Sequence, residues 1–394
     1  MIAFFRAVRK PWRLLLLPLF AMLLAACDPA GLGGIAGSGG PKIDTNAPVP
    51  VALLVPRGGS ASDDLLAQNL ENAAKLAIAD VNGVNIDLRV YGTAGNATQA
   101  ANAARQAVAD GAKIILGPVY AEAANAAGVA VAGDGVNVLS FSNNPTIAGG
   151  NVFVLGPTFE NTANRLVGYA KRQGRDRIVV LHAQDVAGQA GRNAIAQAIS
   201  ANRATLAGTV DYAQSQESVL AAVPRVKSTM DATGANALFL TTNSATALPL
   251  FAQLLPEAGI TPTATQYIGL TRWDTPIQTL DLPGVQGGWF AMPDTNALNV
   301  FNQRYASAYG SQPLSIAGLA FDGVAAIGSL VKSGKSNALT GSALTQGAGF
   351  RGASGVFRLR RDGTNDRALA VATIRNRQVV ILEPAPQAFG GAGF

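Results

Sequence analysis

The sequence predicts an α/β protein of two lobes, each a parallel sheet covered by helices, joined by a hinge that the chain crosses more than once. Three observations predict it. Short apolar strands alternate with amphipathic helices from residue 49 onward, the mark of a parallel sheet buried on both faces. The same rhythm restarts near residue 157 with comparable weight, which gives two sheets rather than one. Two late helices and a late hairpin then follow the second sheet, an order that returns the chain to the lobe it left. A length of 394 residues allows two or three units, each large enough for its own core.

The chain opens with an address. Arg6, Arg9, Lys10 and Arg13 precede a 13-residue apolar run, 14–26, broken only by Pro18. A basic segment, a short apolar stretch and small residues at its end make a secretory signal. The run is too short for a membrane span of roughly 20 residues. It ends Leu24-Ala25-Ala26-Cys27, which resembles the bacterial lipoprotein cleavage box. The resemblance implies removal of residues 1–26 and lipidation of Cys27. Asp28 resembles an inner-membrane retention signal, so the expected location is the periplasmic face of a bacterial membrane, the inner one favoured over the outer. Residues 27–48 are rich in Gly and Pro without an apolar period and predict a tether.

The body begins with a buried strand at 51–55, stopped by Pro56 and the turn Arg57-Gly58-Gly59-Ser60. Asp63 and Asp64 open a helix whose apolar positions Leu66, Leu70, Ala73, Ala74, Ala77 and Val81 keep helical spacing. A strand at 86–90, a helix over 100–109, a strand at 113–116 ending in Gly117-Pro118, a helix from about Ala121 and a strand at 136–140 complete the first run. The second run places strands at 177–181, 237–240 and 267–270, with helices near 191–200, 216–230 and 245–255. Residues 285–291 form a strand, 296–309 and 314–332 helices. A hairpin then pairs 355–359 with 369–375 around the Asp362-Gly363 turn. The expected division is lobe 1 from 49–156 plus about 292–348, lobe 2 from 157–291 plus about 349–384, and a loose tail at 385–394.

Composition excludes several classes. The formal charge of +6 misleads, because four cations and no acid lie in the signal. Without them 26 basic residues face 24 acidic ones, or +2, and no nucleic-acid footprint remains. One Cys excludes a disulfide framework and a thiolate zinc site, and one His excludes a multi-histidine metal site. Ser329-Leu-Val-Lys332 and Lys332-Ser-Gly334 imitate motifs of penicillin-recognising serine enzymes. They overlap on Lys332, however, instead of converging from separate elements. The Gly run at 31–34 follows no strand and opens no helix, so it is not a nucleotide fingerprint. No catalysis, cofactor or metal is expected.

Several stretches together carry a family resemblance. They are residues 51–56 with their Gly turn, Gly111-Ala-Lys-Ile-Ile-Leu-Gly-Pro118, Gly135-Val-Asn-Val-Leu-Ser-Phe141, Asn151-Val-Phe-Val-Leu-Gly156, Phe301-Asn-Gln-Arg-Tyr305 and Ala320-Phe-Asp322. In order and spacing they resemble type I periplasmic binding proteins from about 49 to 382. The resemblance implies two Rossmann-like lobes, a multi-crossing hinge and a ligand cleft between the lobes.

Open parallel sheets bind ligands outside the carboxyl ends of their strands, which nominates cleft residues. In the first lobe these are Arg57, Ser60, Tyr120, Ser142 and Asn143. In the second they are Gln184, Asp185, Asn243, Ser244, Arg272 and Trp273. Arg57 or Arg272 would clamp a carboxylate bidentately, and Tyr120 and Trp273 would supply apolar walls. His182 and Trp289 read as packed residues.

Two branches of the family compete. The amino-acid branch typically places a Tyr-Gly pair at the first strand-to-helix turn of the second lobe, where this chain reads His182-Ala-Gln-Asp-Val-Ala-Gly188. Residues 267–274 and 287–291 look more like lipoproteins that activate penicillin-binding proteins. The sequence-based expectation is therefore a lipid-anchored regulator that contacts a penicillin-binding protein in peptidoglycan synthesis. The alternative is the substrate-binding protein of an ABC transporter, handing a branched-chain amino acid or similar small solute to its permease.

Overall fold

The computed structural model describes residues 40–390. The signal, Cys27, Asp28 and most of the tether lie outside the described residues, as do the last four residues of the tail. The first sheet is built from β1 (Val49–Val55), β2 (Ile86–Gly92), β3 (Ile114–Leu116), β4 (Asn137–Ser140) and β5 (Val152–Val154). Its order is β2-β1-β3-β4-β5, all parallel. The helices α1 (Ala61–Asp80), α2 (Ala97–Ala109) and α3 (Ala121–Val131) connect its strands. Period-two alternation divides β1 between two cores. Val51, Leu53 and Val55 pack with α1, whereas Ala52 and Leu54 meet the alanine faces of α2 and α3.

The second lobe holds α4 (Phe159–Arg172), β6 (Arg177–Ala183), α5 (Val186–Ala201), β7 (Thr205–Tyr212), α6 (Gln216–Thr233), β8 (Ala237–Leu240), α7 (Leu248–Glu257), β9 (Gln266–Gly269) and β10 (Trp289–Met292). Val179 and Leu181 of β6 face one core, Ile178 and Val180 the other. The chain then returns through α8 (Thr295–Tyr309), α9 (Gly318–Val331) and α10 (Gly341–Leu344) to the first lobe, where Phe301, Tyr305 and Val324 join the α1 core.

The late strands differ from the expected hairpin. β11 (Phe350–Gly352), β12 (Gly355–Leu359) and β13 (Asn365–Arg367) form a small antiparallel sheet, with Asp362 and Gly363 in the β12–β13 turn. β14 (Ala370–Arg375) instead pairs antiparallel with β10 and with β15 (Gln378–Glu383), giving the second sheet the order β15-β14-β10-β9-β8-β6-β7. Phe350, Phe357 and Leu359 belong to the α1 core. The final crossing therefore falls after Arg367, not near residue 349. Two other expectations shift. Ile43 is buried in the first core, so the tether ends earlier than 48. Residues 385–390 are docked rather than loose: Ala385 is buried in the second lobe, Gln387 donates to Asp294 Oδ2 at 2.7 Å, and the Phe389 ring lies 4.6 Å from the Arg358 guanidinium.

Three crossings join the lobes, and buried polar side chains tie them together. Asn365 Nδ2 donates to the carbonyls of Val154 (2.8 Å) and Gly156 (2.9 Å) in the first crossing. Arg367 Nε donates to Leu155 O at 2.9 Å, and its Nη2 pairs with Asp322 Oδ2 of α9 at 2.9 Å. Asp322 also accepts from the Ala353 amide, and the Asp294 amide of the second crossing donates to Ser354 O. Backbone groups that leave a sheet lose their ladder partners and must be paired again when buried. These side chains do that.

Candidate functional site

The carboxyl edge of the first sheet brings Ser60 and Tyr120 together through Asp63, a residue the strand-end rule did not nominate. Ser60 caps α1 in a capping box: its hydroxyl accepts from the Asp63 amide at 3.2 Å, and the Ser60 amide donates to Asp63 Oδ2 at 3.0 Å. The Tyr120 hydroxyl, arriving from the β3–α3 turn, donates to Asp63 Oδ1. The Tyr120 hydroxyl, then the Ser60 amide and side chain, hold the Asp63 carboxyl below its ordinary range. Tyr120 remains about 42% exposed.

A depressed folded pKa stabilises the ionised cluster above the unfolded value of about 3.9, and that support is lost as pH falls through the depressed value. Tyr120→Phe should therefore raise the Asp63 pKa toward the ordinary range, read by carboxyl NMR titration. An unmoved titration would detach Tyr120 from Asp63.

The other first-lobe candidates sit apart. Arg57 is engaged with Glu71 of α1 at 2.7 Å, and Glu71 also holds Lys75 at 2.6 Å. Ser142 is buried and its hydroxyl accepts from the Asn144 amide, while Asn143 is exposed beside it.

In the second lobe Asp185 caps α5, accepting from the Gly188 amide at 2.6 Å and from Gln214 Nε2 at 2.9 Å. Those two donors hold its carboxyl low, the Gly188 amide most. Asp185 lines an open depression of about 510 Å³ with Gln214, Ser215, Gln216, Val219, Thr246, Ala247 and Leu250. Gln184 instead donates to Asp211 at 2.7 Å. Asn243 closes its own turn by accepting from the Ala245 amide and the Thr246 hydroxyl, and Ser244 donates to Thr275 O. Arg272 lies against Asp274, with Nε 2.9 Å from Oδ1. Among the described residues no hydrogen bond or ion pair joins the first-lobe group to the second-lobe group.

One nomination is corrected outright. Trp273 is fully buried in the second core and is no cleft wall. His182 is half-buried with Nδ1 2.9 Å from Ala183 O, and Trp289 packs edge-on against Tyr169 at 4.8 Å. Sequence reasoning missed Gln214, Ser215 and Thr246. The first two follow β7, an edge strand whose positions are mostly exposed or half-buried, and whose weak apolar pattern gave no strand end to count from.

Two parallel-sheet lobes linked by three crossings, each presenting polar turns at its carboxyl edge, define a two-lobed ligand-binding protein of type I topology. The periplasmic binding protein profile matches residues 48–378, and the chain belongs to that family, whose members generally bind ligands without catalysis. Solved structures share the fold at low identity. A chain assigned to a branched-chain amino acid ABC transporter of Rhodospirillum rubrum has a TM-score of 0.71 at 18% identity, covering 85% of this chain and 100% of that one. An ABC transporter substrate-binding protein of Desulfitobacterium hafniense, in complex with Leu, gives 0.59 at 20%, covering 85% and 100%. A solute-binding protein of an ABC transporter from R. palustris, in complex with benzoate, gives 0.53 at 16%, covering 88% and 99%. No curated protein is significantly similar to the chain.

Proposed function

We propose that the protein is the solute-binding component of an ABC transporter, delivering a small molecule to an inner-membrane permease from a lipid anchor on Cys27. The observation that carries this reading is the pair of polar turn groups, around Asp63 in one lobe and Asp185 in the other, at matching carboxyl edges across a three-crossing hinge. Solutes bind at such edges, and hinge closure buries them. The test is thermal unfolding against amino acids, amines and aromatic carboxylates. A ligand at a hundred times its dissociation constant adds about 2.7 kcal/mol. A clear shift with one class supports the receptor, and no shift across the panel removes it.

A regulator of a penicillin-binding protein is the second reading, favoured by the first turn of the second lobe. That turn presents Val186, 87% exposed, followed by Ala187, where amino-acid receptors place an aromatic side chain. Capture of a peptidoglycan synthase by a chain that binds no solute would support it.

The two nominated arginines give a sharp expectation. Both are more than a third exposed and already paired with carboxylates, so Arg57→Ala and Arg272→Ala should each change stability by less than about 1 kcal/mol. Solute affinity should stay within twofold by calorimetric titration. A tenfold loss in either variant would restore that arginine as a ligand clamp.

A further inference from the structure

After β15 the chain reaches across the hinge once more. The root of this segment lies in the second lobe. Glu383, the last residue of β15, accepts from Arg165 Nη1 at 2.6 Å and from Arg172 Nη2 at 2.8 and 3.0 Å. The buried Arg165 side chain of α4 also donates through Nε to Leu369 O in the final crossing, at 2.6 Å. Ala385 is then buried in the second core.

The tip lies on the first lobe. Gln387 Nε2 donates to Asp294 Oδ2 at 2.7 Å, and Asp294 caps α8 with its other oxygen. The Phe389 ring sits 4.6 Å from the Arg358 guanidinium of β12, which Asp366 of β13 fixes in place at 2.7 Å. Gly349 makes the seat for that ring, since a methyl group there would lie 2.8 Å from Phe389 Cε2. β12 packs in the α1 core through Phe357 and Leu359, so root and tip belong to different lobes.

The bridge between them is short. From Ala385 to Gln387 the chain spans about 7 Å when fully extended, and Pro386 between them fixes its own φ. Such a bridge has no slack to follow two lobes that rotate about a hinge. Each tip contact is weak alone, one an exposed amide bond and the other a cation–π pair. The tether makes both intramolecular and raises their effective concentration. The tip is therefore built both to hold and to let go. What it holds is an arrangement in which the Asp63 and Asp185 groups keep their partners within their own lobes.

We propose that residues 383–389 form a hinge strap that holds the lobes apart and releases its tip when they close on a solute. The effect on affinity rests on the solute-binding reading above, while the effect on the lobes rests on the hinge alone. Contacts made only in the unjoined arrangement lower the population of the closed one, and a solute that needs closure binds more weakly by that fraction. Gln387 and Phe389 thus tune affinity without touching the solute.

The test places nitroxide labels at Leu65→Cys of α1 and Leu220→Cys of α6, both exposed positions, in a full chain carrying Cys27→Ser. Pulsed electron resonance reads the distance between them. The double variant Gln387→Ala, Phe389→Ala removes the tip. Gln387 is exposed and Phe389 half-buried, so both cores stay intact. The distance distribution should become at least twofold broader and shorter in its mean, whereas Phe389→Tyr, which keeps the ring, should match the parent. An unchanged distribution in the double variant overturns the strap. Calorimetric titration of the unlabelled chain with L-leucine and benzoate reads the second consequence. The double variant should bind whichever the parent binds several-fold more tightly, although its thermal stability falls. Equal or weaker affinity overturns the strap as a brake on closure. A shortened distance in a chain with no thermal shift across the wider solute panel keeps the strap and removes the receptor.

Discussion

Replacing Arg367 with Met is expected to lower the unfolding free energy by about 3–5 kcal/mol, because it leaves a charge buried without its partner. Asp322 is 1% exposed, and its carboxylate is held by the Arg367 guanidinium at 2.9 Å and the Ala353 amide at 2.7 Å. Burial pushes the Asp322 carboxyl up despite the pull of Arg367, so desolvation outweighs pairing at this site. A neutral pair should therefore be tolerated. Asp322→Asn combined with Arg367→Met keeps an acceptor for the Ala353 amide and should recover most of the lost stability. Urea unfolding of the two single variants and the double variant measures this directly. Single variants within about 1 kcal/mol of the parent would mean that the pair is not the fastening it looks to be. The same guanidinium donates to Leu155 O in the first crossing, so the single variant should also loosen the hinge and shift the solute affinity without touching either polar turn group.

Much of this architecture was legible because parallel strands advertise themselves. β1 is buried along almost its whole length and reads as one apolar run, and Ser60, Asp63 and Asp64 mark the start of α1 beside it. Two of the missed elements share a physical cause. β7 and β15 are the two edges of the second sheet, with exposed or half-exposed positions in place of a continuous apolar signal. Asp362-Gly363 correctly marked a hairpin turn, but the returning strand, β13, is only three residues long. The longer run beyond it looked like the better partner and belongs to the other lobe.

The site was legible only in its framework. Strand ends put Ser60, Tyr120 and Asp185 at helix-capping turns on the carboxyl edges of their sheets, since sheet topology fixes where turns must lie. What each arginine does depends on contacts that spacing does not display. The Glu71 partner of Arg57 sits 14 residues away, across a turn and the opening of a helix. The Asp274 partner of Arg272 is two residues on, close enough that an intraloop pair deserved equal weight with a ligand clamp.

Trp273→Ala should cost about 3–5 kcal/mol of stability, the range for deleting a buried aromatic side chain, and should leave the polar turns in place. The indole has no exposed surface and belongs to the second core with Phe290, Val285 and Leu280. Two glycines make room for it. A methyl group on Gly269 would lie 2.3 Å from Trp273 Cε2, and one on Gly288 would lie 2.3 Å from Cζ3, so the ring fills a slot between the end of β9 and the turn before β10. Gly269→Ala should destabilise in the same direction, since the ring must shift to admit the methyl. Trp273→Phe should cost less than Trp273→Ala, because Phe retains most of the apolar volume. The indole Nε1 also has no partner to lose among the described residues. Urea unfolding and solute titration on the same variants separate the two roles that sequence alone allowed. A core residue loses stability first and affinity only as a consequence of unfolding. Were Trp273→Ala to keep its stability and lose affinity, the indole would belong to the ligand and the slot between the glycines would be a minor feature of the fold.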